Sequence, residues 1–337
     1  AFLWKEVGTT SIHLDETHLI IQLMRDFLDV IAPDVIIITE TNVPHEENIS
    51  YFGDGTNEAQ LVYQFPLPPL VLHTLAAGDA TALTRWAGSL EPVGDQTTFF
   101  NFTASHDGIG LRPATGLLTD DEVQALVDRV TAHGGQVSYR SQSDGSQSPY
   151  EMNITYFDAI TDPQETAAHP DLAVKRFVVS QAIMLALAGV PGIYFSSLFG
   201  GRNWTDGVAE TGRARTINRR KFDMAALSAD LTGDTLRHKV FTAMMDLLEQ
   251  RLSTLAFHPL ATQHILDLGS SVFGVLRQTR DGANTVLALH NVTGYPATVA
   301  IDADLQGDFD WSSASAGRDL DALTLAPYEV LWLHGRG

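Results

Sequence analysis

Apolar residues recur at helical spacing near the start of the chain. Between residues 13 and 31 they include Leu19, Leu23 and Phe27, and Pro33 then ends the predicted helix. Four short apolar runs predict strands instead, and they lie around Val35, Leu61, Phe99 and Ile193. Helices and strands that alternate in this way up to about residue 255 are typical of an α/β fold with a parallel sheet.

The residues from Val35 to Ile38 are apolar without a break. A strand that alternates apolar with polar positions has one side in water, whereas an unbroken apolar strand is typical of a parallel sheet that is covered on both faces. We therefore predict that the strand from Asp34 to Glu40 is buried. We also predict that four aromatic residues are in the core: Trp4, Phe27, Trp86 and Phe177.

Four predicted core strands are too few for a closed (β/α)8 barrel, which has eight. The count predicts the C-terminal half of a (β/α)8 TIM barrel over residues 1–255, followed by a small all-β domain over residues 256–337. The second domain is predicted because short apolar runs, separated by Gly and Asn, follow Pro259. A polar stretch at about 136–170 contains the turn pair Asp144-Gly145 and is predicted to be a loop insertion with a hairpin.

Acidic residues follow two of the predicted strands. Glu40 follows the strand at Val35, and His106-Asp107 follows the strand at Phe99. Because the carboxyl ends of parallel strands meet at one edge of a sheet, both carboxylates are predicted to face one site. Glycosidic chemistry uses two carboxylates around one bond. Both residues also have a structural interpretation, since Glu40 can form an ion pair and Asp107 can cap a helix.

The composition limits the classes of ligand. The 337 residues carry a formal net charge of -20 and include no cysteine. This charge argues against nucleic acid and anionic membranes as partners, although a local arginine cluster can still bind an anionic substrate. The absence of cysteine excludes disulfides and thiolate-bound metals and fits a cytoplasmic location. No metal or organic cofactor is predicted, and no run of roughly 18 apolar residues predicts a membrane helix.

Two segments resemble a known family. They are "TETNVPHEENISYFGDGTNEAQLVYQFPLPPL" (39–70) and "FFNFTASHDGIGLRP" (99–113). They look like glycoside hydrolase family 13, the α-amylase clan, and within it the sucrose phosphorylase subfamily, which includes glucosylglycerate phosphorylases. The resemblance runs from Ala1 to about Arg251. It implies a retaining phosphorylase that moves glucose from a sucrose-like or glucosylglycerate-like α-glucoside to inorganic phosphate, the co-substrate, and so gives α-glucose 1-phosphate.

The resemblance also implies roles for individual residues. Glu40 would be the general acid/base, and Asp107 would stabilise the oxocarbenium-like transition state of a sugar that His106 also binds. Arg215 matches the arginine that precedes the family's "INR" and would contact the donor glucose. Phosphate or an anionic acceptor would be handled by Arg213 and Arg219 in the basic run 212–221, and His45 would line the acceptor site. For these last residues a solvated surface loop is the alternative.

The family's nucleophile is an aspartate in an Arg-x-Asp-Ala motif, followed by a segment that resembles "AFLWKE". We expect this aspartate upstream of Ala1, and no Asp on the first helix replaces it. The chain alone is therefore expected to be inactive, as a truncated gene product or a natural half-barrel. Two alternatives stay open: an α-glucosidase or transglucosylase of the same clan, and a non-catalytic carbohydrate-binding half-barrel. The oligomeric state is not predicted.

Overall fold

The computed structural model describes residues 3–9, 11–91, 94–141, 145–302, 311 and 319–335. The helices in these ranges are α1 (Asp15–Ile31), α2 (His45–Ile49), α3 (Leu67–Ala77), α4 (Thr81–Gly88), α5 (Asp120–Ala132), α6 (Tyr156–Ile160), α7 (Pro163–Ala168), α8 (Pro170–Ala186), α9 (Thr205–Thr211), α10 (Met224–Thr232) and α11 (Leu236–Ser253). The strands are β1 (Ile38–Thr39), β2 (Leu61–Tyr63), β3 (Thr98–Phe102), β4 (Ile109–Gly110), β5 (Gln136–Ser141), β6 (Gln147–Asn153), β7 (Val190–Gly192), β8 (Thr262–Asp267), β9 (Val272–Gln278), β10 (Thr285–Asn291), β11 (Ala297–Val299), β12 (Leu323–Leu325) and β13 (Val330–Gly335). Among the described helices, none combines the length and the apolar composition that crossing a membrane requires.

The four predicted core strands form one parallel sheet in the order β1-β2-β3-β7. In its register Ile38 lies opposite Leu61, Leu61 opposite Thr98, and Phe100 opposite Val190. All four strands therefore end at one edge of the sheet, and the residues that follow β1 and β3 emerge on the same side. The predicted α/β arrangement with half the strands of a barrel is confirmed.

The first strand is shorter and more exposed than predicted. β1 covers only Ile38–Thr39, and the side chains of Val35, Ile36 and Ile38 are 46%, 52% and 42% exposed. β1 lies at the edge of the sheet, where β2 is its only neighbour among the described residues. The prediction of a strand buried on both faces is wrong. An apolar run indicates that a strand favours burial, but it does not show that another element is present to cover it.

Helix α1 continues this exposed apolar surface. The buried side of α1 includes Ile21 and Arg25, and Arg25 Nη1 donates a 2.8 Å hydrogen bond to Val35 O, just before β1. Large apolar side chains on the other side of the helix are exposed: Leu19, Leu23, Phe27, Val30 and Ile31. We call these five residues, together with Val35, Ile36 and Ile38, the open face. So many large exposed apolar side chains on neighbouring elements are typical of a surface that another segment or partner covers.

Two of the four aromatic core predictions fail. Trp4 and Phe27 are 45% and 62% exposed, whereas Trp86 and Phe177 are buried as predicted. The two failures lie on the part of the chain that precedes β1, where no described element packs over them. The two successes lie on α4 and α8, which pack into the main core.

Helix α5 begins with a capping box. Thr119 Oγ1 accepts a 3.3 Å hydrogen bond from Glu122 N, and Glu122 Oε2 accepts a 2.7 Å hydrogen bond from Thr119 N. Two backbone N–H groups at the helix start are satisfied in this way. Because Leu126 and Val130 of α5 lie in the main core, the helix anchors the far end of the loop that leaves β3. That loop carries the predicted His106-Asp107 pair.

The predicted insertion contains the expected hairpin. β5 and β6 are antiparallel, with Ser138 opposite Glu151, while the predicted turn residue Asp144 lies outside the described residues. β4 pairs with the other side of β6, with Gly110 opposite Glu151. Since β4 belongs to the loop after β3, this small sheet brings Glu151 to the edge where the parallel strands end.

Antiparallel strands replace the parallel sheet from Thr262 onward. One sheet has the order β13-β10-β9-β8, and β11 pairs with β12; strands β8 and β12 are not among the apolar runs that predict this domain. The buried Arg277 of β9 donates 2.8 Å hydrogen bonds to Ala186 O, at the end of α8, and to His258 O. Core residues of α8, β9 and β10 form one cluster, and the domain boundary at about residue 255 stays a prediction.

A buried histidine makes the β sheet sensitive to acid. His290 of β10 donates from Nδ1 to Phe273 O (3.1 Å) and accepts at Nε2 from Trp332 Nε1 (3.4 Å), an arrangement that needs the neutral ring. Burial lowers the pKa of His290 to about 4. Its contribution to stability is complete above the unfolded-state pKa of about 6.5 and is lost as the pH falls towards 4.

We expect the free energy of unfolding to fall by up to about 3 kcal/mol over this range because of His290. Denaturant titrations at several pH values should show the slope, and His290→Gln should reduce it even though the variant is less stable. His264→Gln, at an exposed position of β8, is the matched control and should keep the slope. An unchanged slope in His290→Gln would contradict the assignment.

Candidate active site

A cavity of about 190 Å³ opens at the edge where the parallel strands end. Glu40 reaches it from the end of β1, and Asp107 reaches it from the loop after β3. Arg215, in the 3-10 helix Ala214–Asn218, lines it together with Tyr150 and Glu151 of β6. The apolar part of the wall includes Phe65, Pro68, Phe102, Ile154 and Tyr156. The fold therefore brings both predicted carboxylates and the predicted Arg215 to one cavity, which we call the inner cavity.

Arg215 bridges two carboxylates in this cavity. Its Nη1 donates a 2.7 Å hydrogen bond to Asp107 Oδ1, while Nε and Nη2 donate to Glu151 Oε2 at 3.1 and 3.0 Å. A guanidinium group suits this position because its donors are fixed in one plane. The position of Asp107 is thus set by a residue more than a hundred positions further along the chain.

Glu151 also binds the backbone beside Asp107. Its Oε1 accepts a 2.6 Å hydrogen bond from Gly108 N, and its side chain is buried. A Cβ on Gly108 would lie 2.7 Å from Glu151 Cγ and 2.6 Å from Met152 O, so only glycine permits this approach. Glu151 therefore holds both Arg215 and the loop that carries Asp107.

Arg219 and His106 lie close to Asp107 but outside the inner cavity. Arg219 donates from Nε to His106 O (2.6 Å) and from Nη2 to Asp107 Oδ1 (3.0 Å). The His106 side chain is 61% exposed, with Nε2 at 3.7 Å from Asp107 Oδ1. Neither residue lines the inner cavity. Asn218 Nδ2, which does line it, donates a 2.7 Å hydrogen bond to Asp107 O.

Glu40 is exposed and has Asn42 beside it in the wall of the inner cavity. Asn42 packs on Gly110, where a Cβ would lie 2.7 Å from Asn42 Nδ2. Asn42 Oδ1 is buried and has no hydrogen-bond partner among the residues that the structure describes. The pKa of Tyr63 is raised, mainly by burial and further by the charge of Glu40, so the Glu40 carboxylate also acts on β2.

Two predicted site residues lie elsewhere. His45 begins α2, its ring centroid is 5.9 Å from that of Phe99, and burial lowers its pKa. Arg213 is exposed on the loop before the 3-10 helix Ala214–Asn218. Neither residue lines the inner cavity. The sequence places both near site residues along the chain, but chain proximity does not decide where a side chain points.

Glu151 is the site residue that the sequence interpretation misses. It lies in "YEMNITYFDAI" (150–160), where two carboxylates, Glu151 and Asp158, stand among residues that are nearly all buried. A charged side chain in such a run needs a partner, and this pattern is the feature by which Glu151 could have been found. The partner itself is 64 positions away, and only the fold identifies it.

The inner cavity offers carboxylates for proton and charge chemistry. Two guanidinium groups, those of Arg215 and Arg219, contact Asp107, whereas Glu40 forms no hydrogen bond or ion pair with another described residue. No cluster of three or more His, Asp or Glu side chains in the described ranges is arranged to hold a metal ion. The arrangement suits one fixed carboxylate facing a cationic group and one carboxylate that is free to exchange a proton.

Curated proteins resemble the chain over almost its whole length. It is 42% identical over 349 aligned residues to the glucosylglycerate phosphorylase of Spirochaeta thermophila, an alignment with 99% of this chain and 58% of that protein. It is 43% identical over 333 residues to the glucosylglycerate phosphorylase of Allomeiothermus silvanus, with 98% of this chain and 58% of that protein. The chain thus spans less than two thirds of the length of these relatives. No family model matches it.

Solved structures share the fold at low identity. The sucrose 6F-phosphate phosphorylase of Thermoanaerobacter thermosaccharolyticum matches with a TM-score of 0.71 at 18% identity, over 96% of this chain and 58% of that one. The α-amylase of H. orenii matches with a TM-score of 0.59 at 15% identity, over 96% of this chain and 57% of that one. The predicted resemblance is confirmed: the chain is a homologue of the glucosylglycerate phosphorylases, has the fold of α-amylase-type enzymes, and corresponds to 58% of the length of those relatives.

Proposed function

We propose that this chain is the acid/base-bearing part of a retaining α-glucoside phosphorylase. The observation that carries the proposal is that Glu40 and Asp107 line one cavity at the carboxyl edge of a parallel sheet, with Arg215 on Asp107. Two carboxylates at this edge suit glycosidic bond cleavage. The names of the relatives add phosphate as the group that accepts glucose.

In the proposed reaction Glu40 transfers protons in both steps. It first gives its proton to the leaving oxygen of the α-glucoside while a carboxylate nucleophile forms a glucosyl ester. Phosphate then forms a bond to the anomeric carbon, the ester bond breaks, and the proton of the attacking phosphate returns to Glu40. Asp107 stabilises the positive charge on the sugar ring in both transition states. The products are the free acceptor and α-glucose 1-phosphate.

The nucleophile in this proposal comes from the part of the relatives' length that the chain does not match. The same missing part would cover the open face of α1 and β1, because a barrel has neighbours on both sides of every strand. We call the complete polypeptide, this chain together with that part, the full-length protein. The activity belongs to the full-length protein, and the chain alone is expected to be inactive.

The test is to incubate the full-length protein with α-glucosylglycerate and inorganic phosphate and to measure α-glucose 1-phosphate. We expect its release to depend on phosphate and to occur without free glucose. Release of glucose regardless of phosphate would instead identify a hydrolase of the same clan, and new glucosides would identify a transglucosylase. No release of any sugar would overturn the enzymatic proposal and favour a carbohydrate-binding protein. If a variant of the full-length protein that lacks Asp107 still formed α-glucose 1-phosphate from phosphate, the role of Asp107 in stabilising the transition state would be contradicted.

A further inference from the structure

A second, outer cavity of about 630 Å³ opens on the other side of Glu40. Glu40, Asn42 and Tyr150 line both cavities, so these residues form the boundary between them. Two further residues give the outer cavity its charge, Arg112 at the start of the 3-10 helix Arg112–Ala114 and Arg140 of β5. In a chain with a net charge of -20, two arginines beside the proposed acid/base are a specific feature of this wall.

Two arginines of the basic run, Arg215 and Arg219, are already bound to other groups of the protein. Arg215 donates to Asp107 and Glu151, and Arg219 donates to Asp107 and to His106 O. These guanidinium groups neutralise the internal carboxylates, which leaves them little capacity to bind a further anion. Neither Arg213 nor Arg219 lines the inner or the outer cavity, and their predicted role in binding phosphate or an anionic acceptor stays a prediction.

The arginines of the outer cavity are engaged much less. Arg112 Nη2 lies 3.8 Å from Glu47 Oε2, a distance beyond hydrogen bonding, and Glu47 Oε2 is shared with His13 Nε2 at 3.1 Å. Within the described ranges, no carboxylate forms an ion pair with Arg140, which is exposed. The guanidinium groups of the half-buried Arg112 and the exposed Arg140 line one cavity, and such groups are suited to bind a carboxylate or a phosphate group.

An independent observation also indicates a polar ligand here. Asn42 Oδ1 is buried and without a hydrogen-bond partner among the described residues, at the boundary beside Glu40. A buried acceptor without a partner is costly, and a hydroxyl group of a ligand would satisfy it. The wall thus combines a carboxylate that can carry a proton, an acceptor for a hydroxyl group and two cationic groups. This combination suits a short polyol with an anionic group at one end.

We propose that the outer cavity is the acceptor subsite, and that Arg112 and Arg140 bind the carboxylate of a small hydroxy acid whose hydroxyl group reacts at Glu40. This inference rests on the proposed function, because it names the acceptor of that same site. A carboxylate is chosen over a phosphate monoester because both relatives at 42–43% identity are named for glucosylglycerate.

The test compares acceptors that share one donor. The full-length protein is given α-glucose 1-phosphate with glycerate or with glycerol, which has a neutral CH₂OH in place of the carboxylate. Arg112→Gln and Arg140→Gln should each lower the ratio of kcat/KM for glycerate to kcat/KM for glycerol by about 10- to 100-fold, the range for a lost charge-assisted hydrogen bond. Because the donor is the same in both reactions, any effect on donor binding cancels in the ratio.

Arg280→Gln is the matched control and should leave the ratio unchanged, because Arg280 is exposed, pairs with Asp95 and lines neither cavity. An unchanged ratio in both cavity variants would overturn the proposal. Fructose 6-phosphate as the preferred acceptor, lost in the same variants, would overturn the carboxylate in favour of a phosphate monoester. If the protein uses none of these acceptors, the proposed function fails, and calorimetry with glycerate alone decides on the subsite: binding that Arg140→Gln abolishes supports it, and no binding refutes it.

Discussion

Glu40→Gln in the full-length protein is expected to lower kcat for α-glucosylglycerate by about 10³-fold, within the range for loss of a general acid/base. Glutamine keeps the size of the side chain at the boundary of the two cavities, but it carries no proton that it can transfer to a leaving oxygen. Steady-state rates of α-glucose 1-phosphate formation measure the loss. Glu210→Gln, at an exposed position of α9, is the matched control and should keep full activity.

A second donor separates proton transfer from simple disruption of the site. α-Glucosyl fluoride needs little protonation of its leaving group, so Glu40→Gln should retain far more of its activity with this donor than with α-glucosylglycerate. Equal losses with both donors would indicate a damaged site. Normal turnover of α-glucosylglycerate would exclude Glu40 as the acid/base.

Arg215→Ala in the full-length protein is expected to lower kcat/KM for the donor by about 10²-fold or more. The substitution removes hydrogen bonds to Asp107 and Glu151; it leaves the buried Glu151 without its cation and leaves Asp107 with Arg219 alone. Arg215→Lys should recover only part of the loss, because one ammonium group cannot reproduce a planar fork that bonds two carboxylates.

The measurement is the split between KM for the donor and kcat, determined at saturating phosphate. Lys221→Ala, at an exposed position near the 3-10 helix that carries Arg215, is the matched control. Unchanged donor kinetics in Arg215→Ala would remove this residue from the site. Full recovery by Arg215→Lys would show that its charge alone is needed and would contradict the bridging role.

The parts of the fold that depend on local chemistry can be predicted from the sequence. The capping box of Thr119 and Glu122 is an example, because both partners lie within one helical turn. The two strand-end carboxylates are another, since a parallel sheet sends both strand ends to one edge. The length of β1 and the exposure of Val35 cannot be predicted, because they depend on which strand stands on the outer side of β1.

From the pattern of polar and apolar residues alone, the candidate site could be predicted only for residues that follow strands, whereas Arg215 comes from the family resemblance. Glu40 and Asp107 belong to this class, and both line the inner cavity. His45 follows a strand too, but α2 turns its ring towards Phe99. Glu151 reaches the site through the pairing of β4 with β6, a contact between segments about 40 residues apart. No local pattern of polar and apolar residues encodes that pairing.

Glu40 follows an edge strand. How well its side chain is ordered therefore depends on the segment that pairs with β1. β1 has two residues and one strand neighbour among the described ranges, so local opening of this segment costs less than opening of the central strands. A segment that pairs with the free side of β1 raises the population in which Glu40 is held in place. By thermodynamic reciprocity, a substrate that selects the ordered Glu40 also tightens the pairing of that segment by the same factor. Pairing of a segment with β1 and substrate binding at Glu40 are therefore thermodynamically coupled.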